Sequence, residues 1–279
     1  MVSRPVERVV SDARCLQELD VKEIILIAQD STAYGRDLGI VDGLPLLLKE
    51  LTAAVPDVPW LRIMYTFPGS ISDQLIEVMA EHPQVLPYLD LPLQHAHPDV
   101  LRRMKRPADL GWIRSTISQM RAAMPRIALR TTFITGFPGE TEKEFEFLLE
   151  FMREMRFDHV GIFPYYHEAG TSAYQAGDSI PDELKQERIQ RLAAAQEEIS
   201  LEINRGFVGE KMDVIIEGNG DRISAGRSYR DAPEIDGLVI FNEIIEPGHM
   251  VSAEVIGALT HDLIAKRLKK ADRIYVGFG

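Results

Sequence analysis

Gln94 and His95 stand side by side just past an extended apolar run, and the polar residues that could do chemistry recur in that setting. The run at 23–28 leads into Gln29-Asp30 and then Ser31 to Gly35. The run at 60–65 leads into Thr66-Phe67-Pro68-Gly69. The stretch at 127–135 ends at Thr135 and runs into Gly136-Phe137-Pro138-Gly139-Glu140, and that at 157–166 leads into His167-Glu168. Where parallel strands alternate with helices, side chains at the C-terminal strand ends converge on one rim. Five such ends in series predict a ligand-lined opening. Gln94 offers a donor and an acceptor, which suits a ribose or an adenine edge. His95 has three open roles: base, ligand or hydrogen-bonding wall. Arg130 lies mid-strand and either points inward, where it would grip a carboxylate, or pairs outward with a helix. Gly136 to Glu140 lacks both the dinucleotide fingerprint and the Lys-Ser/Thr of a phosphate loop, so it implies either close backbone approach or a tight turn. No metal site is expected: the spacing of His82, His95 and His97 offers no zinc set, and Cys15 is the only cysteine. Cys15 is expected to pack beside the apolar face of a helix. No acid–base pair stands out, so no catalytic side chain is assigned.

These residues need an alternating scaffold, and the chain reads as one. Apolar runs at 23–28, 60–65, 85–93, 127–135 and 157–166 predict five strands. Helical periodicity occupies the segments between them, at 44–55, 71–83, 97–104, 110–125 and 140–155. Ser3 and Pro5 precede a further helix, with Val6, Val9, Ala13 and Leu16 on one face. A long helix follows at 183–207. The expected class is α/β: a partial, TIM-like (β/α) barrel over residues 1–205 that lacks its first strand, because the chain opens on a helix. Residues 206–279 change character. Short strand-like runs at 211–218, 237–245, 249–260 and 273–278, broken by Gly, Asn and Pro, predict a small antiparallel β-barrel of OB-like size.

Bulk properties exclude several classes. The 279 residues carry a formal charge of -12, which disfavours a general polyanion binder. The tail itself holds nine Lys/Arg and twelve Asp/Glu, a net of -3 by subtraction. Within it, Arg222, Arg227 and Arg230 either form a local phosphate patch, or Arg227 and Arg230 pair with Asp231, Glu234 or Asp236. No run approaches a membrane span, and one cysteine fits a reducing, cytoplasmic setting.

Several segments together resemble the ribosomal protein S12 methylthiotransferases, a family of radical S-adenosylmethionine enzymes. They are Ser3-Arg4-Pro5 with Glu7, Gln29-Asp30 through Gly35, Leu91 to Ala96 leading to Val100–Arg106, Leu129 to Thr141, and Gly226-Arg227-Ser228 leading to Asp231–Gly237. The resemblance implies a radical S-adenosylmethionine barrel followed by a TRAM domain. It implies S-adenosylmethionine and [4Fe–4S] clusters as cofactors of the complete enzyme, and the β-carbon of an aspartate of ribosomal protein S12 as the site modified. It places Gln94 and His95 at the ribose, Arg130 and Thr132 near the methionine end or ribose, Ile134, Gly136 and Phe137 near the adenine, and Gln29 on the cluster side of the rim. Members also carry a CxxxCxxC loop just before the Ser3-Arg4-Pro5 segment, and an N-terminal domain with three more cysteines. This sequence has neither. It is therefore expected to begin just past that loop, to hold no cluster, and to be inactive alone. The acidic tail is expected to dock ribosomal protein S12, with the ribosome as a further partner, nucleic acid disfavoured and a monomeric state. Two alternatives remain: a tRNA-adenosine methylthiotransferase fragment, and a non-catalytic module that binds ribosomal proteins.

Overall fold

The structure, a computed structural model, describes residues 2–171 and 173–269. Helix α1 (Val6–Glu18) is followed by β1 (Glu23–Leu26), α2 (Gly43–Ala54), β2 (Trp60–Ile63), α3 (Asp73–Glu81) and β3 (Tyr88–Asp90). Then come α4 (Pro98–Arg103), α5 (Leu110–Ala123), β4 (Ala128–Thr135), α6 (Glu142–Met155), β5 (His159–Pro164) and the long α7 (Asp182–Arg205). Side-chain chemistry sets several starts. Ser72 caps α3 by accepting the Leu75 N–H at 3.2 Å. Thr141 and Glu144 form a reciprocal capping box at the head of α6.

All five expected strands are present and every pair among them is parallel. β1 pairs with β2, and β3, β4 and β5 form a second ribbon in that order. One bridge, Leu61 to Val85, joins the two ribbons. The β3 strand covers only three residues of the nine expected. Leu48, Leu51, Leu61, Val78, Leu89, Leu129, Phe133, Phe145, Leu148 and Phe157 pack the helices onto one face of this curved sheet.

Beyond α7, strands β6 (Lys211–Asn219), β7 (Ser224–Ser228), β8 (Val239–Phe241), β9 (Met250–Ala258) and β10 (Leu263–Arg267) close into a barrel in the order β10-β8-β7-β6-β9. Four of its five pairings are antiparallel, and the fifth, β8 with β10, is parallel. Two of these strands, β7 and β10, are not among the expected runs, and the run at 273–278 lies outside the described residues. Cys15 is exposed on α1 rather than packed against its apolar face. Leu16 is exposed too, and α1 buries Ala13 instead.

Candidate functional site

A strand turns alternate side chains to opposite faces. On β4, Leu129, Thr131, Phe133 and Thr135 are buried, while Arg130, Thr132 and Ile134 are only half-buried. Leu129 and Phe133 lie under the helices, so Arg130, Thr132 and Ile134 form a row on the inner face of the sheet. The strand register sets Asp90 of β3 beside Arg130, and His159, Gly161 and Phe163 of β5 beside Arg130, Thr132 and Ile134.

Gln94 completes this row at the rim. Its N–H donates to the Thr132 carbonyl at 2.8 Å, and its carbonyl accepts the Ile134 N–H at 2.7 Å. Its φ is +71°, a left-handed conformation that costs a non-glycine residue about 1–2 kcal/mol. Tyr65, at the end of β2, is held the same way with φ +56° and is exposed. The Tyr65 N–H meets Asp90 Oδ2 at 3.3 Å. Strained residues on successive strand ends mark a site where backbone geometry is held by its surroundings. Tyr65 and the exposed Phe163 are rim residues that the strand-end reading passed over; both are aromatics at the end of an apolar run, and that was the available signal.

Arg130 points inward, and protein carboxylates occupy it. Its Nη1 donates to Asp90 Oδ1 at 3.0 Å and to Thr132 Oγ1 at 3.3 Å, and its Nε lies 3.3 Å from Asp236 Oδ1 of the small barrel. Burial works against the guanidinium charge, but Asp90, Tyr88 and Asp236 outweigh it and hold the pKa above the usual value. For Asp90, burial wins over Arg130 and pushes the carboxyl upward.

His95 is not in the row. Its side chain is completely buried, its Nδ1 accepts the His97 N–H at 2.9 Å, and its Nε2 lies 3.7 Å from Glu140 Oε2 without a hydrogen-bond partner among the described residues. Burial, helped by His97, pushes its pKa down to about 3, so the ring is neutral. Gly136 and Phe137 belong to a tight turn and not to an open backbone cradle. Both N–H groups donate to Glu140 Oε2, at 2.9 and 3.3 Å. Glu140 Oε1 accepts from Thr135 Oγ1 at 3.1 Å and Arg188 Nη1 at 2.8 Å. Burial raises the Glu140 pKa against the pull of Arg188. Gly136 needs its φ of +77°, and a Cβ there would overlap the stem of buried Lys185. The Phe137 ring packs edge-on against Tyr165. Gln29 is exposed beyond the end of β1, in the other ribbon. The inner row thus unites Gln94, Arg130, Thr132 and Ile134, while His95, Gly136 and Phe137 form the wall behind it.

His97, Asp99 and Glu144 place ligand atoms within 4.8 Å of one another. Arg103 already engages both Glu144 oxygens, at 2.9 and 3.1 Å, so this cluster reads as an ion-pair network. A [4Fe–4S] cluster is held by several thiolates, and the one thiol of this chain does not fit it.

The tail arginines resolve by burial. Arg227 pairs with Glu23 at 2.7 Å and Glu217 at 2.5 Å, and Arg230 pairs with Asp158 at 3.1 Å and donates to Asn204 Oδ1 at 3.1 Å. Their partners are not the carboxylates of the adjoining 231–236 segment, although Arg227 also donates to the Asp231 carbonyl. Only Arg222 of the three is exposed.

Residues 1–152 match the family model of the radical SAM superfamily, and residues 208–268 match the TRAM domain. The chain is 48% identical over 268 residues to the ribosomal protein uS12 methylthiotransferase RimO of Roseiflexus sp. (strain RS-1), covering 94% of this chain and 57% of that protein. It is 46% identical to the protein of that name from Chloroflexus aurantiacus, covering 96% of this chain and 60% of the relative. The chain thus spans less than two thirds of the length of these relatives. Among solved structures, coproporphyrinogen III oxidase (HemN) from Escherichia coli shares the fold, with a TM-score of 0.53 and 16% identity over 81% of this chain and 61% of that one.

Proposed function

Because the chain belongs to the radical S-adenosylmethionine superfamily, we propose that it supplies the S-adenosylmethionine-binding barrel (1–205) and the docking tail (206–279) of a methylthiotransferase acting on an aspartate β-carbon of ribosomal protein S12. The observation that carries this reading is Gln94, held left-handed and half-buried at the head of the inner row. When bound, S-adenosylmethionine supplies the reactive chemistry of the superfamily. The residues of this chain bind and orient it. The Gln94 amide and the Thr132 hydroxyl offer donors and acceptors suited to a nucleoside. Ile134 and Phe163 offer apolar surface to a base. The wall of His95, Gly136, Phe137 and Glu140 keeps this row in register, and Gln29 guards the opposite rim.

The chain alone is proposed to retain no iron–sulfur cluster and to be inactive, since it offers one exposed thiol where a cluster needs several thiolates. The tail is proposed to recognise protein, not nucleic acid. Burial of Arg227 and Arg230 in ion pairs removes two of its cations from any phosphate, and counterion release from RNA needs free cations. An acidic face steers a basic ribosomal protein instead.

Calorimetric titration with S-adenosylhomocysteine, a non-reactive analogue, tests the site. Binding that weakens by about 1–2 kcal/mol in Gln94→Ala, the worth of one or two hydrogen bonds, supports it, and equal affinity in the two proteins refutes it. Capture of S12 against tRNA at about 0.15 M salt tests the tail: tighter tRNA binding, falling steeply with salt, would transfer the assignment to a tRNA-modifying enzyme.

A further inference from the structure

Asp236 sits on the segment between β7 and β8, in the small barrel, yet its carboxylate ends inside the large one. Its side chain is 1% exposed. Oδ2 accepts from Tyr88 Oη at 2.7 Å and from the Ala232 N–H at 2.9 Å. Those two bonds already account for Asp236 as a stabiliser of its own loop. Oδ1 is left over, and it faces Arg130 Nε at 3.3 Å and His159 Nδ1 at 3.8 Å. The Arg130 contact is an ion pair off the hydrogen-bond line, and neither Nε nor Oδ1 has a hydrogen bond among the described residues. Their opposite charges hold the two groups together, and Asp236 is one of the groups that keep the Arg130 charge in place against burial. The opposite side of the same guanidinium faces the inner row. Nη1 spans Asp90 and Thr132 on the inner row, and the other Asp90 oxygen receives the N–H of the left-handed Tyr65.

We infer that Asp236 is a positioning residue: a carboxylate of the small barrel fixes Arg130, and through it Thr132 and the Asp90–Tyr65 contact, in the geometry that the inner face presents to its ligand. The ligand in this inference rests on the reading of the site given above; the positioning does not. Two carboxylates on one guanidinium keep Arg130 from swinging up to seize the ligand or down into the floor. A purely structural role for Asp236 would act through Oδ2 and leave Arg130 indifferent to it.

The experiment follows the Arg130 side-chain Nε–H by NMR in the full chain with ¹⁵N-arginine, assigned by its loss in Arg130→Lys. In the wild type this proton should exchange far more slowly than those of exposed arginines such as Arg36; exchange at the exposed rate overturns the inference without any variant at 236. Asp236→Asn, which keeps an acceptor for Tyr88 and Ala232, should speed exchange and weaken S-adenosylhomocysteine binding about tenfold, with Asp236→Glu restoring both in part. Tyr88→Phe, which removes only an Oδ2 contact, should leave the Arg130 proton unchanged. An unchanged Nε–H in Asp236→Asn, or an altered one with unchanged ligand affinity, defeats the inference. If the wild type binds no S-adenosylhomocysteine while the Arg130 proton responds as described, the ligand reading falls and the positioning by Asp236 stands.

Discussion

Gln94 and His95 are neighbours with opposite fates, and backbone conformation divides them. The left-handed turn at Gln94 leaves its side chain half-buried at the strand end, while the next side chain, His95, is buried completely. If strain at φ +71° is kept for the sake of the side chain, removing the side chain should reveal the strain. Gln94→Gly should therefore be more stable than Gln94→Ala by about 1 kcal/mol in urea unfolding, with both losing ligand affinity. His95 makes a separate prediction about pH. Its pKa is near 3 when folded and about 6.5 when unfolded. The unfolded chain takes up the proton first as pH falls, so the contribution is complete above pH of about 6.5 and lost progressively toward pH of about 3, with a slope of at most about 1.4 kcal/mol per pH unit. His95→Asn, which keeps an acceptor for the His97 N–H, should flatten the stability–pH curve across that window relative to wild type. Parallel curves would show that His95 is not the group responsible.

At the scale of elements, what could be read from sequence depended on whether an element advertises its own partners. The α6 segment announces its cap with Thr141 and Glu144 and its buried face with Phe145, Leu148 and Met152, and it forms as expected. The five parallel strands show as short runs rich in apolar residues, one face of them packed under the helices, although β4 alternates buried with half-buried side chains. In contrast, β7 reads Ser-Ala-Gly-Arg-Ser and looks like a loop. Its residues are small because the neighbouring strand presses on them: a Cβ at Gly226 would overlap the Ile215 carbonyl. Its arginine is spent on Glu23, 204 residues away in sequence. No local pattern encodes such a partner. The same holds at the site, where the rim was visible as polar strand ends but the inward row was divided from the buried wall by a single left-handed residue. Gly226→Ala should cost roughly 2–4 kcal/mol, an overpacking and backbone-shift penalty, and Gly136→Ala, strained in φ and crowded by Lys185, at least about 1 kcal/mol. Chemical denaturation of the two variants measures both; a neutral Gly226→Ala would mean that β7 is free to move off β6.

The whole molecule is joined where the two barrels meet. Arg62 is fully buried, donates from Nε to Glu23 at 2.6 Å and from Nη1 to the Tyr229 carbonyl at 2.9 Å, and lies over the Tyr88 ring. Glu23 in turn meets Arg227 of the tail. Trp60, Leu86, Tyr88 and Ala128 form an apolar layer with Ile215, Tyr229 and Ala232. Removing one member of a buried ion network leaves the others uncompensated and costs about 3–5 kcal/mol. Arg62→Ala should therefore split the single unfolding transition expected of the wild type, with Trp60 fluorescence changing first and the secondary structure of the large barrel later. Loss of both signals at one denaturant concentration would mean that the domains remain coupled without Arg62.

That apolar layer lies at the starting ends of the strands, since Trp60, Tyr88 and Ala128 are the first residues of β2, β3 and β4. The tail thus packs against the large sheet at the end opposite Gln94 and Tyr65. At the other end Tyr65 and Phe163 stay exposed, so the rim is the end a partner could approach without displacing the tail.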